Sequence, residues 1–158
     1  MDQTKKFSVY NSTLNALRSG IAKINDELLI YKFTVDLLSK IPQFHWIGVY
    51  FYNPVTKEFY LGYNIGTQAA KTMVRYDQLG FPTNPFDAKI EIINNIEAEQ
   101  TDSISPQATA EAHVLIKQGG TILGMIVIGS EATDNFNEVD RSSLIEIVDT
   151  VAEKVRHI

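Results

Sequence analysis

The order of helical and strand-like patterns along the chain restricts its fold more than any other feature. Apolar side chains recur at helical spacing in residues 4–18 and 24–39, and Pro42 ends the second pattern. A third helical pattern covers residues 137–156, where Asn137 can cap the helix. The segments between them are rich in β-branched and aromatic residues. We therefore expect an α+β domain with a mostly antiparallel sheet.

Two pairs of strand patterns, each joined by a short turn, predict the hairpins of this sheet. Residues 44–52 and 58–65 form the first pair, which an Asn-Pro turn connects. Residues 112–117 and 121–129 form the second pair around a Gln-Gly-Gly turn. We expect the strands within each pair to run antiparallel, because such short connections allow no crossover.

The middle of the chain is less regular. Residues 72–76 are compatible with a third, short strand, residues 79–87 with a loop, and residues 88–95 with a short helix. The polar segment 97–109 contains Pro106 and shows no periodicity. We predict that this segment is the most mobile part of the chain.

Composition indicates one globular domain. The chain has 158 residues, of which 44% are apolar and 21% charged. We divide it into N-terminal helices (1–40), a sheet and pocket region (44–130) and a C-terminal helix (137–157). The net charge is −5 and basic residues form no cluster, which argues against a nucleic-acid partner. The apolar stretches 41–52 and 122–128 are too short to cross a bilayer, so we expect no membrane partner and a cytoplasmic location.

Residue types that commonly hold cofactors are scarce. The chain has no cysteine, which excludes disulfides, cysteine-based zinc sites and thioether-linked chromophores. His45, His113 and His157 are scattered and show no metal-binding spacing. The sequence contains neither a glycine-rich phosphate loop nor a nucleophile elbow. We therefore predict no metal and no other cofactor.

Four short motifs carry a family resemblance. They are Trp-Ile-Gly-Val-Tyr at 46–50, Leu-Gly-Tyr-Asn-Ile-Gly at 61–66, Ile-Leu-Gly-Met-Ile-Val-Ile at 122–128 and Phe-Asn-Glu-Val-Asp-Arg at 136–141. In this order and at these separations they resemble GAF domains, specifically the free methionine-(R)-sulfoxide reductases. The resemblance covers residues 7–151. It implies a GAF-like (profilin/PAS-like) six-stranded antiparallel sheet, with the N- and C-terminal helices on one face and a ligand pocket on the other, in a single domain of residues 1–158.

The resemblance also implies where a ligand would lie. Trp46 and Tyr50 occupy the positions of an aromatic pair that holds the substrate, and Glu111 that of a glutamate that binds its ammonium group. Strand alternation places Trp46 and Tyr50 on one face and should direct His45 to the opposite one. His113 follows Glu111 by two residues, so the two should share a face. There His113 is either half of a pH-sensitive pair or a strand residue satisfied by a neighbour.

The chain departs from the family where the family's chemistry takes place. Its three cysteine positions carry side chains without a thiol, which are Ala70, Phe81 or Pro82, and Ile104. Two aspartate positions of the pocket carry Val127 and Gly129. Because the family's reductant is a thiolate, thiol-based sulfoxide reduction is not possible here. The one remaining carboxylate, Glu111, compensates an ammonium group poorly, so we predict a neutral or apolar ligand.

We predict a non-catalytic GAF-fold protein that binds a small molecule or has a regulatory, signalling role, and thus a pseudoenzyme on a reductase-like scaffold. The predicted ligand-binding residues are Trp46, Tyr50, Phe81, Glu111, His113, Met125 and Val127. Since GAF domains often dimerise through terminal helices, a homodimer is also expected.

Two alternatives stay open at this point. One is a structural or dimerisation module whose pocket has closed. The other is an enzyme of altered chemistry in which Glu111 and His113 act as acid and base. A cavity on the order of a few hundred cubic ångströms beside Trp46 and Glu111 would separate a ligand-binding protein from a closed module.

Overall fold

The computed structural model describes residues 2–69, 71–82, 88–133 and 135–158. In chain order, its helices and strands are α1 (Gln3–Ile21), α2 (Glu27–Leu38), β1 (Trp46–Asn53), β2 (Glu58–Ile65), β3 (Met73–Arg75), β4 (Ile90–Ile93), β5 (Ala110–Gln118), β6 (Thr121–Ser130) and α3 (Glu138–Arg156). A 3₁₀ turn, Tyr76–Gln78, follows β3. The predicted helices at the two ends and the predicted hairpin strands are confirmed, with ends that differ by a few residues.

Each helix begins beside a short polar side chain that accepts from a free backbone N–H group. Asp2 accepts such a bond of 2.8 Å at the start of α1, and Asp26 one of 2.9 Å at the start of α2. Asn137 accepts from Val139 N at 2.9 Å and caps α3, as the sequence predicts. Local sequence therefore sets where these helices start.

The six strands found in the described residues form one antiparallel sheet, in the order β3-β2-β1-β6-β5-β4. Both predicted hairpins, β1–β2 and β5–β6, are present. They lie side by side because β1 also pairs with β6, which places Trp46 opposite Gly129 and Tyr50 opposite Met125. The predicted six-stranded antiparallel sheet is confirmed.

The two faces of the sheet belong to different cores, because successive side chains of a strand point to opposite faces. One face packs against the helices and contributes alternate aliphatic residues to the main core, including Ile47, Val49, Ile126 and Ile128. The opposite face contributes the intervening residues to a second core, including Trp46, Tyr50, Met125 and Val127. The terminal helices are thus on one face of the sheet, as predicted, and the candidate site residues are on the other.

The short helix predicted for residues 88–95 is wrong. Ile90–Ile93 is an edge strand that pairs with β5, with Ile90 opposite Val114 and Glu91 opposite His113. Apart from Glu91, every residue of this strand is isoleucine, whose β-branched side chain favours strands. So short an apolar run does not distinguish a helix from a strand by its period, and pairing with β5 decides.

Two other predictions concern the irregular middle of the chain. The predicted loop 79–87 is described up to Pro82 and again from Ala88, and Ala70 lies outside the described residues. In the segment 97–109, predicted to be the most mobile, Ile104 and Ser105 are buried. No helix in the described ranges is long and apolar enough to cross a membrane.

Candidate functional site

Four of the predicted ligand-binding residues form a continuous surface, here called the wall, on the face of the sheet away from the helices. Trp46 and Tyr50 come from β1, and Met125 and Val127 from the neighbouring strand β6. Trp46 is 1% exposed and the other three are 0% exposed. Phe81 packs in the same buried cluster. Sequence reasoning therefore placed these side chains correctly together, while their ligand-binding role stays a prediction.

The polar atoms of the wall are already bonded within the chain. The indole Nε1 of Trp46 donates to the carbonyl of Thr67 at 2.9 Å, and the hydroxyl of Tyr50 donates to the carbonyl of Lys71 at 2.5 Å. Burial, followed by the charge of Glu111, raises the pKa of Tyr50. The phenol is therefore a neutral donor that ties the chain before β3 to the wall.

The carboxylate of Glu111 lies on β5 and is fully buried. It accepts from the backbone N–H of Ile104 at 3.0 and 3.1 Å, from that of Ser105 at 2.9 Å and from the Ser105 hydroxyl at 2.5 Å. His113 Nε2 lies 2.6 Å from its Oε1 atom. These bonds occupy the acceptor positions of both oxygens. Glu111 thus binds the chain's own donors, at the position where the family resemblance implies an ammonium group.

His113 bridges two carboxylates. Its Nδ1 atom lies 2.8 Å from Glu91 Oε1 and its Nε2 atom 2.6 Å from Glu111 Oε1. An imidazole donates from both nitrogens only when it is protonated. Burial lowers the pKa of His113, but the hydrogen bonds and charges of Glu111 and Glu91 outweigh it and raise that pKa from 6.5 to about 9. We therefore assign an imidazolium at neutral pH.

The same contacts act on Glu111 in the opposite direction. Burial raises the pKa of the Glu111 carboxyl, but hydrogen bonds from His113 and Ser105 and the charge of His113 outweigh burial and lower it. Glu91 and Ser105 were missed by sequence reasoning. Had residues 90–93 been interpreted as a strand paired with β5, Glu91 would have been placed opposite His113.

Stability should depend on pH through His113. Its pKa is raised on folding, so its stabilisation is complete below pH 6.5 and is lost as the pH rises towards 9. From that change in pKa we expect the free energy of unfolding to fall by about 3 kcal/mol across this range. Urea unfolding at successive pH values measures it. The decline should persist in the exposed control His157→Gln and flatten in His113→Gln, and an equal decline in both variants would contradict the assignment.

A groove of about 510 Å³ opens beside Glu91 and His113. Glu91, His113 and Ile104 line its inner side, and Lys71 and Asp102 lie at its rim, where they form an ion pair at 3.7 Å. The residues of the wall and Glu111 do not line this groove. Within the part of the chain that the structure describes, the space expected beside Trp46 and Glu111 is therefore filled, and open volume begins beyond Ile104. Of the predicted ligand-binding residues, His113 is the one that lines the groove.

The prediction for His45 is wrong. Its ring does not turn to the helical face, because Nε2 lies 2.9 Å from the carbonyl of Pro106, on the same side as Ser105. His45 precedes the first residue of β1, so strand alternation does not determine its direction.

Comparison with known proteins identifies the fold. No family model and no curated protein matches the chain by sequence. Among solved structures, it is similar to free methionine-R-sulfoxide reductase from Neisseria meningitidis in complex with its substrate, with a TM-score of 0.85 and 19% identity over 99% of this chain and 92% of that one. It is also similar to the substrate complex of the reductase (fRMsr) from Staphylococcus aureus, with a TM-score of 0.78 and 20% identity over 92% and 95%.

A third neighbour is the GAF domain of a phosphoenolpyruvate-protein phosphotransferase from Coxiella burnetii, with a TM-score of 0.80 and 12% identity over 96% of this chain and 95% of that one. The fold is that of a GAF domain. The GAF fold predicted from the four motifs is confirmed, and the likeness to the sulfoxide reductases extends to nearly the whole chain. At these identities the comparison establishes the GAF fold but no activity. An activity has to be argued from the residues of the site.

Proposed function

We propose that this protein is a non-catalytic, regulatory GAF-fold protein that binds a small molecule. The observation that carries the proposal is the groove of about 510 Å³ that ends on Glu91, His113 and Ile104, directly in front of the buried wall. The volume of the groove lies within the range of small-molecule sites, and Glu91 and His113 supply polar groups at its inner end. The absence of cysteine supports a role without thiol chemistry, because thiol-based sulfoxide reduction needs a thiolate.

The contacts that Glu111 already makes favour a neutral, polar ligand over an ammonium group at that carboxylate. The negative charge of Glu111 is already matched by the His113 imidazolium and by donors from Ile104 and Ser105. An incoming ammonium group would therefore gain little from Glu111 and would still have to lose its hydration. A neutral molecule with N–H or O–H donors avoids this cost.

A ligand screen tests this proposal. Native mass spectrometry of the protein purified from its source, followed by thermal unfolding with the recovered compound and with a metabolite library, should identify a ligand. At a concentration of about one hundred times Kd, such a ligand stabilises the fold by about 2.7 kcal/mol, or about 5–10 °C in Tm for a domain of this size.

Two matched variants locate the ligand. Thr101→Trp places an indole in the groove and should remove the Tm increase. Ser142→Trp places an indole in a separate groove of about 640 Å³ between α1 and α3, and this variant should keep the full Tm increase. A Tm increase that survives Thr101→Trp, or no ligand in either experiment, would reject the proposed site.

A structural or dimerisation module is the second candidate. The observation in its favour is that Trp46, Tyr50 and Glu111 are at most 1% exposed, so that nothing reaches the wall in this conformation. In that case the protein would act as a homodimer through its terminal helices, where Phe7 of α1 is 59% exposed. The ligand screen separates the two candidates, because a closed module retains no compound. An enzyme that uses Glu111 and His113 as acid and base is favoured least, because both groups already have their full set of partners.

A further inference from the structure

We propose that residues 102–106, here called the lid, close over the wall and are held there by the latch, which is the chain of contacts from Glu91 through His113 to Glu111. Opening of the lid would join the groove to the wall and create one larger site. This proposal rests on the proposed function in treating the wall as part of a ligand site. The movement of the lid, however, can be tested without any ligand.

The lid occupies the wall in the manner of a bound molecule. The side chain of Ile104 is 2% exposed and lies in the same cluster as Trp46, Tyr50 and Met125. Its backbone N–H donates to Glu111, and the Ser105 N–H and hydroxyl do the same. An aliphatic group against the aromatic wall and hydrogen-bond donors on the carboxylate are the contacts that a small ligand would make there.

Outside Glu111, the lid makes few bonds with the residues that the structure describes, and one of them is the ion pair of Asp102 with Lys71 at 3.7 Å. Residues 102–106 belong to no helix or strand. The carbonyl of Ile104 accepts from Lys71 N at 3.2 Å, and the carbonyl of Pro106 lies 2.9 Å from His45 Nε2. Segments held by side chains rather than by a ladder of backbone bonds commonly open at lower free energy than the sheet beside them.

The latch requires that His113 is protonated, because each of its two ring nitrogens faces a carboxylate. His113 faces Glu111 on its own strand, Glu91 from β4 and the apolar Val127 from β6. Tyr50 of β1 is close enough to Glu111 to feel its charge, and Lys71, Glu99 and Asp102 lie around the groove. If His113 loses its proton, one ring nitrogen becomes an acceptor and faces a carboxylate without a hydrogen bond. The contact that orients Glu111 towards the lid is then lost.

The latch is also reachable from the groove. The Glu91 side chain is 18% exposed and lines the groove, whereas that of Glu111 is 0% exposed. A hydrogen-bond donor that binds Glu91 competes with His113 for that carboxylate. We expect this competition to weaken the contact between His113 and Glu111 as well. A molecule in the groove would thereby favour opening of the site that it then enters.

Amide hydrogen exchange measured by NMR tests the lid. In the wild-type protein, the amides of Ile104 and Ser105 should exchange about tenfold faster than that of Ile126 in β6, after correction for intrinsic rates, and with less dependence on urea. The variant Glu91→Gln, at the exposed end of the latch, removes the negative charge that faces Nδ1 of His113 and keeps the size of the side chain. It should speed exchange of both lid amides by about another tenfold and leave Ile126 unchanged.

Glu99→Gln is the matched control, because Glu99 lines the same groove without touching the latch. It should leave all three amide rates unchanged. Lid amides that exchange together with Ile126 and with the same urea dependence would show that the lid is part of the core and overturn the proposal. If Glu91→Gln and Glu99→Gln change the exchange rates of the lid amides equally, the proposed role of the latch is overturned. Either result would leave the ligand screen to decide the proposed function on its own.

Discussion

Replacing Asp140 with Ala is expected to lower the free energy of unfolding by about 3–5 kcal/mol, because it leaves a buried charge without its partner. Lys6 of α1 lies 2.5 Å from Asp140 of α3, and their side chains are 4% and 0% exposed. Asp140 also accepts from the Tyr10 hydroxyl at 2.6 Å and from Asn137 N at 2.8 Å. After the substitution, the Lys6 ammonium retains the carbonyl of Asn135 as its described partner.

Urea unfolding measures this change, and Glu138→Ala is its control. Glu138 lies in the same first turn of α3, but its side chain is 86% exposed, so we expect a loss below about 1 kcal/mol. The double substitution Lys6→Met and Asp140→Leu should recover only part of the stability. It removes both charges, but the Tyr10 hydroxyl and the Asn137 N–H still lose their acceptor. Similar losses for Asp140→Ala and Glu138→Ala would show that the buried pair contributes little.

The second large effect is expected at Glu111. Its replacement by Ala should also lower the free energy of unfolding by about 3–5 kcal/mol. The substitution leaves the His113 imidazolium beside an empty position and removes the acceptor of the Ile104 and Ser105 N–H groups. The two N–H groups and the Nε2 side of the imidazolium then carry an uncompensated desolvation cost, while Nδ1 of His113 keeps its contact with Glu91. Unlike the loss at Asp140, this one should be accompanied by a local opening of the lid.

The chain contains one tryptophan, Trp46, which lies in the wall behind the lid and reports that opening. In native buffer, Glu111→Ala should increase acrylamide quenching of its fluorescence. Asp140→Ala, of similar destabilisation but on the helical face, should leave quenching at the wild-type level. If both variants quench alike, global unfolding rather than a local opening explains the signal.

The alternation of side chains along a strand correctly predicted which residues of the wall share a face. Trp46 and Tyr50 lie four positions apart in their strand, and Met125 and Val127 lie two positions apart, so that the side chains in each pair share a face. The strand β2 was predicted with the bounds that the structure shows. Such patterns depend on a few neighbouring residues and on the requirement to bury apolar surface, and both can be inferred from the order of residues.

Contacts between distant segments could not be inferred in this way. Lys6 and Asp140 are 134 residues apart, and neither lies in a pattern that predicts a buried charge. The strand β4 was mistaken for a helix because its partner β5, rather than its own four residues, determines its state. With β4 misassigned, Glu91 could not be placed beside His113.

The sequence by itself determined that this chain builds an antiparallel sheet flanked by helices, and that it lacks a thiolate for sulfoxide reduction. Only the tertiary structure decided that the wall is covered. A buried carboxylate such as Glu111 must be matched by donors, and several groups in the chain could supply them. The lid supplies them because folding brings Ile104 and Ser105 to that position, and the aperiodic segment 97–109 contains no local pattern from which this could have been predicted.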